Sequence, residues 1–208
     1  MNIFLFYFLL FISYSFLGWI IEVISCSITE KRLCINRGFL IGPYLPIFGI
    51  GSMIIIMFFS GIKNNLLLLF IISVITLSLL EYFTSFIMEK VFHARWWSYE
   101  KRKCNINGRI SLLPSIGFGL LSIVLIYIVN PFYNNILNMI PLVTKNVISI
   151  VLLIIFISDL IISTVIIFSL RKRINSPNKD VTEDVNRAVK RVLTGRLEKS
   201  FPNVKYNN

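Results

Sequence analysis

The sequence predicts an all-α membrane protein with five transmembrane helices, its N-terminus outside and its C-terminus cytoplasmic. Three observations carry that expectation. Of the 208 residues, 56% are apolar and only 15% charged, with a mean hydropathy of +0.77. A soluble domain of this size has too little interior to hide so much apolar surface. The scarcity of charge is concentrated in five runs, at 3–25, 39–60, 66–88, 110–129 and 147–170, each near the ~20 residues that cross hydrocarbon. Finally, the basic residues alternate between the ends of these runs. The same composition excludes a disordered tail protein, a disulfide scaffold and a collagen-like fibre.

The first run opens Met1-Asn2-Ile3 with no basic flank and no small-residue cleavage pattern, so it reads as a retained helix and not a removable signal. The second is irregular. Gly38-Phe39-Leu40-Ile41-Gly42-Pro43 is followed by Pro46, Gly49 and Gly51, combining a GxxxG step with two residues that lack a ladder donor. That predicts a kinked or broken helix at Gly38, Gly42, Pro43 and Pro46, beside either close packing or a polar pocket. The third run carries Glu81 and Glu89 and leaves the bilayer at Phe92-His93-Ala94-Arg95-Trp96-Trp97-Ser98-Tyr99. Such aromatic residues are those of an interfacial belt, and with flanking Arg and His they could instead stack on a headgroup or a partner. The fourth run is followed by a loop at 130–146 containing Pro131 and Pro141, and the fifth contains Asp159.

Two domains follow: a polytopic membrane domain over 1–170 and a basic cytoplasmic tail over 171–208. In the tail, Asp180 followed three residues later by Glu183 resembles a capping box, and Val181, Val185, Val189 and Val192 repeat at helical spacing up to a stop at Gly195. This predicts a short amphipathic helix that either skims the membrane or meets a partner. Asn36 precedes Pro43 by seven residues and then Phe48-Gly49; Asn107 precedes Pro114 by seven and then Phe118-Gly119. That approximate repeat suggests duplicated helical hairpins.

Of 21 Lys and Arg, 19 fall on one side of the five runs and 2 on the other, and the positive-inside rule places the 19 in the cytoplasm. The net charge of +11 is then an orientation and lipid-headgroup signal, and nucleic acid is not an expected partner. The three cysteines, Cys26, Cys34 and Cys104, fall on the reducing side and are expected to be inert thiols. With one histidine and no C-x-x-C pair, neither a metal site nor a cofactor is expected.

A charge near mid-bilayer costs at least ~2.5 kcal/mol on insertion scales, so an intramembrane acid is a site candidate by default. Glu22, Glu81, Glu89 and Asp159 qualify, and Arg37 and Arg109 lie at the inner mouths of the second and fourth runs. Glu22, Arg37, Glu81, Glu89 and Arg109 are therefore the candidates for a substrate or ion path, unless they only lock helices together. His93, Arg95, Trp96, Trp97 and Asn107 are candidates for a cytoplasmic interface. The chain has no G-x-x-x-x-G-K-[ST], G-x-G-x-x-G or G-x-S-x-G, so it cannot be its own P-loop ATPase.

Several of these segments, in order, resemble one bacterial family. They are Tyr14-Ser15-Phe16-Leu17-Gly18-Trp19 with Glu22, Asn36-Arg37-Gly38-Phe39-Leu40 with Gly42-Pro43, Glu81-Tyr82 with Glu89, Arg95-Trp96-Trp97, and Asn107-Gly108-Arg109-Ile110. Over about residues 10–125 they resemble the family named putative ABC-transporter type IV, or CmpB-like, departing from its pattern at Phe48 and Ser98. The resemblance implies a multi-pass, permease-like component of the bacterial cytoplasmic membrane.

Three functions stay open at this point. A transporter membrane subunit would use the charged cluster as its path and couple loop 90–109 to a separate cytosolic ATP-binding subunit, with a homo-oligomer as a further arrangement. A membrane-embedded enzyme acting on lipid or isoprenoid headgroups would use Glu81 or Glu89 as a general base. A non-catalytic scaffold would work through its tail.

Overall fold

The computed structural model describes residues 2–35, 37–92 and 95–170. The tail with its expected amphipathic helix, His93 and Asn36 lie outside the described residues. Among the described residues five helices run in sequence: α1 (Ile3–Glu30), α2 (Pro46–Ile62), α3 (Leu66–Phe92), α4 (Leu112–Met139) and α5 (Leu142–Leu170). Four of them are long and apolar enough to cross a membrane, and α2 is shorter. Between α3 and α4 lies a small antiparallel hairpin, β1 (Asn105–Ile106) with β2 (Ile110–Ser111).

The second run differs most from expectation. Its first third is not helical at all: the chain takes an irregular path through residues 37–45, and the helix starts at Pro46. Pro46 occupies the first turn, where the missing N–H is not needed and the fixed φ suits the helix. The prolines therefore delay the helix and do not kink it. Seventeen residues rise only about 25 Å, short of a ~30 Å hydrocarbon core.

Backbone donors freed by an irregular path need acceptors elsewhere in the protein. Asp159, in the body of α5, supplies them. Its Oδ1 accepts the Ile41 N–H at 3.0 Å and the Ser163 hydroxyl at 2.8 Å, while Oδ2 accepts the Gly42 N–H at 2.8 Å and the Tyr44 hydroxyl at 2.5 Å. The Leu45 N–H goes to the Ser15 carbonyl of α1 at 3.0 Å. Gly38 turns the chain at φ +101°, a region costly for any residue with a Cβ.

The expected loop at 130–146 is also mostly helix. α4 continues through Pro131 to Met139, because a π turn at Leu125–Val129 widens the coil just ahead of the proline ring. Ile140 and Pro141 then break the chain before α5.

The core is unlike that of a soluble bundle. Ser15, Ser73, Ser149 and Ser163 are fully buried, while large apolar side chains such as Phe58, Leu67 and Ile154 face outward. Small residues let helix backbones approach, which is what drives packing where the surroundings are as apolar as the core. The hydroxyls of Ser15, Ser122 and Ser149 bond the carbonyl four residues back in their own helix, so they carry no unpaired donor into the interface.

The α1–α2 and α3–α4 pairs are the most extensive contacts, and they share details. Gly49 of α2 lies against Phe11 and Ser15 of α1; Gly119 of α4 lies against Phe70 and Val74 of α3. Phe48 and Phe118 meet edge to face at 6.1 Å across the two pairs. A π turn follows at Ile55–Phe59 in α2 and at Leu125–Val129 in α4, the same distance beyond each Phe-Gly.

A Cβ on Gly49 would sit 2.2 Å from Ser15 Oγ and 2.7 Å from the Phe11 carbonyl oxygen, whereas one on Gly61 would meet nothing within 4 Å. Gly49→Ala is therefore expected to cost about 1–3 kcal/mol through forced separation of α1 and α2. Gly61→Ala is expected to be neutral or slightly stabilising. Reversible unfolding in mixed detergent–SDS micelles measures both; equal midpoints for the two variants would refute the close-packing account.

Candidate functional site

Where the two helix pairs meet, a cavity of about 480 Å³ is lined by residues of α1 to α4, the 37–45 segment, the α3–α4 connection and Leu160 of α5. Its walls are mainly aliphatic and aromatic, and three of the five expected path residues, Glu22, Arg37 and Glu81, lie on them. Trp96, Trp97, Gly38 and Pro46 line it as well. Many lining positions correspond between the two helix pairs: Phe48 and Phe118, Ser52 and Ser122, Ile55 and Leu125. Seven residues beyond Ser15 and seven beyond Val74, the same register places Glu22 on α1 and Glu81 on α3.

These two carboxylates have different surroundings. Glu22 is bonded by Arg37 through Nη2 at 2.8 Å and Nε at 3.3 Å, a forked and partly buried ion pair. Glu81 is 4% exposed; its Oε1 accepts the Tyr99 hydroxyl at 2.9 Å, and among the described residues its Oε2 has no hydrogen-bond partner. Tyr99 belongs to the connection and reaches in from outside the helices. Burial first, then the neighbouring Glu81 carboxylate, push the Tyr99 phenol well above its ordinary pKa, so it stays a donor.

The other two expected path residues, Glu89 and Arg109, do not line this cavity. They belong to a separate network that fastens the hairpin to α3. Glu89 Oε2 lies 2.6 Å from Arg95 Nε and 2.7 Å from Arg109 Nη1. Arg95 also reaches Glu100 Oε1 at 3.2 Å and the Asn107 carbonyl at 3.3 Å. Arg109 adds the Ser85 hydroxyl at 3.3 Å and sits over the rings of Tyr82 and Phe86. Both arginines are 8% exposed. The local sequence dictates the hairpin: a three-residue connection joins Ile106 to Ile110, and Asn107 and Gly108 both take the positive φ that its turn, closed by the Arg109 N–H on the Ile106 carbonyl at 3.0 Å, requires.

Asn107 remains exposed at the tip, bonding the Tyr82 hydroxyl at 3.0 Å. Trp96 is 4% exposed and packs with Ile166 and Ile167 of α5. Trp97 donates its indole N–H to the Arg109 carbonyl at 3.0 Å. The hairpin lock and the cavity wall are thus adjoining parts of one connection. Gly42 belongs to the Asp159 cradle, and Pro43 is exposed beside it.

Asp159 is the residue whose role charge-counting did not find. The signal was present: two prolines and several glycines in the second run meant freed backbone donors, and one acid remained in the body of the last run without a basic partner nearby in the sequence. Among the described residues no group of three or more His, Cys, Asp and Glu could hold a metal ion.

No curated protein and no solved structure matches the chain. The family pattern described as Putative ABC-transporter type IV matches residues 9–164, from the first helix into the last and across both the cavity and the hairpin lock. With its four long apolar helices the chain is a multi-pass membrane protein, and it belongs to that transport-related family.

Proposed function

We propose that the chain is the permease-like membrane component of an ABC transporter. It crosses the bacterial cytoplasmic membrane five times, α2 with residues 37–45 making the second crossing, with the N-terminus outside and the charged connections and the 171–208 tail in the cytoplasm. The observation that carries this reading is the cavity at the junction of two similar helix pairs, lined by Glu22, Arg37 and Glu81. The matched glycine contacts, π turns and carboxylate registers support an origin by duplication of one helical hairpin. Transporters built from parallel repeats place their substrate sites at such a junction.

Coupling follows from the connection. Lys101, Arg102 and Lys103 are exposed at its outer end, while Tyr99, a few residues back, is bonded to Glu81 in the cavity. A partner pressing on the basic tip acts on the cavity through a strap held to α3 by Glu89. The headgroup-enzyme reading has less support, because Glu89, one of its two candidate bases, is engaged by two guanidiniums.

These 208 residues hold no nucleotide-binding loop, and on this reading a separate ATP-binding subunit supplies the energy. Tagged full-length chain, extracted gently from native membranes, is expected to copurify with a polypeptide carrying a P-loop. Combined K101E, R102E and K103E substitutions are expected to reduce that recovery at least ten-fold without lowering the amount of the chain in the membrane. Recovery of the wild-type chain with no ATP-binding polypeptide would sink the reading.

A further inference from the structure

Taking the cavity as a substrate path, as just proposed, we infer the class of its substrate: an amphipathic organic cation, with its charged head against Glu81 and its apolar body among the surrounding rings and aliphatic side chains. The inference begins from the unequal fates of two matched carboxylates. On the first helix pair, Arg37 from the following connection returns to pair with Glu22. On the second, the guanidinium from the corresponding connection, Arg109, pairs with Glu89, one turn past Ser85 on α3. Glu81 is left with one hydrogen bond, from Tyr99, and an Oε2 atom that none of the described groups contacts as a donor.

A carboxylate held in an apolar wall with an open acceptor favours a ligand that brings a donor or a positive charge. The terminal torsion of a Glu side chain is soft, so Oε2 can swing to a ligand without movement of α3. Phe39, Trp96, Trp97 and Tyr99 line the same space, and aromatic rings around a carboxylate form a setting that attracts quaternary or protonated amines. The volume of about 480 Å³ falls within the range of small-molecule sites.

Other ligand classes fit less well. An anion would meet Glu81 and find the Arg37 guanidinium already forked onto Glu22. A neutral hydrocarbon would leave Oε2 unpaired in a drier cavity, worsening its desolvation.

The test uses three probes of one shape: 3-phenylpropyl-trimethylammonium, its neutral tert-butyl isostere and the corresponding sulfonate. Binding is measured calorimetrically on the full chain in zwitterionic lipid nanodiscs, with protein-free discs subtracted for partitioning. The cation is expected to bind at least ten-fold more tightly than the isostere, and the sulfonate more weakly than either. Glu81→Gln is expected to erase the preference while leaving the isostere's affinity within two-fold. Equal affinities of cation and isostere for the wild-type chain, a preference for the sulfonate, or a folded Glu81→Gln variant that keeps its preference would each overturn the proposal. Should Glu81→Gln fail to fold, the three-probe comparison on the wild-type chain decides alone. An ATP-binding subunit that copurifies with a chain showing no cation preference would refute the ligand class and leave the transporter reading intact. Cation preference without such a subunit would do the reverse.

Discussion

Replacing Asp159 by Leu is expected to destabilise the protein by about 3 kcal/mol or more, even though the change makes α5 more apolar. Two effects compete. On insertion scales an Asp near the centre of a membrane helix costs roughly 3 kcal/mol relative to Leu, which favours the substitution in the isolated helix. In the folded chain, the carboxylate accepts four hydrogen bonds, from Ile41, Gly42, Tyr44 and Ser163. Hydrogen bonds to a charged group contribute about 1.5–3 kcal/mol each, and donors left in an apolar layer carry a further desolvation cost.

Losing the acceptor should release residues 37–45 and with them the Arg37–Glu22 side of the cavity. Asp159→Asn should fall between, because an amide oxygen can keep the Gly42 and Tyr44 donors while its NH₂ opposes the Ile41 N–H. Unfolding in mixed micelles gives the stabilities, and thiol labelling after an Ile41→Cys substitution reports release of the segment. A Leu variant as stable as the parent, with the introduced thiol no more reactive, would show that the segment is held by something else.

Glu89→Ala is the second large effect expected. It leaves Arg95 and Arg109, each 8% exposed, without the carboxylate they share. Breaking a buried charge pair from one side costs about 3–5 kcal/mol, because the remaining charge stays desolvated. The hairpin should come away from α3, and trypsin should cut at Lys101, Arg102 and Lys103 at least ten times faster. Glu100 touches Arg95 as well, but its side chain is 44% exposed, so Glu100→Ala should cost under about 1 kcal/mol and leave cleavage unchanged. Similar cleavage rates for the two variants would mean that Glu89 is not the fastening point.

Most of the fold was legible because apolar run length is a direct physical signal. The first and third runs became helices extending a turn or more past their expected inner ends, to Glu30 and Phe92. Two departures trace to proline. At Pro43 and Pro46, proline chemistry predicted a defect and the defect is there, but as two missing helical turns, since the fate of the freed donors depended on Asp159 more than a hundred residues away. At Pro131 the ring was accommodated by a preceding π turn, which hydropathy does not register.

The charged residues were found by type and depth, yet their pairing was not. Which of Glu81 and Glu89 receives Arg109 depends on how the Asn107-Gly108 turn aims the strand that follows it. The dipeptide was visible as part of a repeat, and its strength as a hairpin signal was the unused information. The repeat was also wider than two loop motifs suggested: Phe11-Ile12 and Phe70-Ile71 each precede a glutamate by the same spacing, and Phe48-Gly49 and Phe118-Gly119 are each followed by a serine three positions past the glycine. Only the matching contacts at Gly49 and Gly119 bring those registers together.

The Asp159 cradle also sets an order of assembly. Ile41 and Gly42 emerge from the ribosome well over a hundred residues before their acceptor does. Until α5 enters the bilayer, that stretch of backbone has to wait in a hydrated vestibule, such as the insertion machinery or the interfacial layer. The amino-terminal hairpin therefore matures last although it is synthesised first, and a nascent chain stopped short of α5 is one that cellular quality control should recognise by the unpaired backbone donors of Ile41 and Gly42.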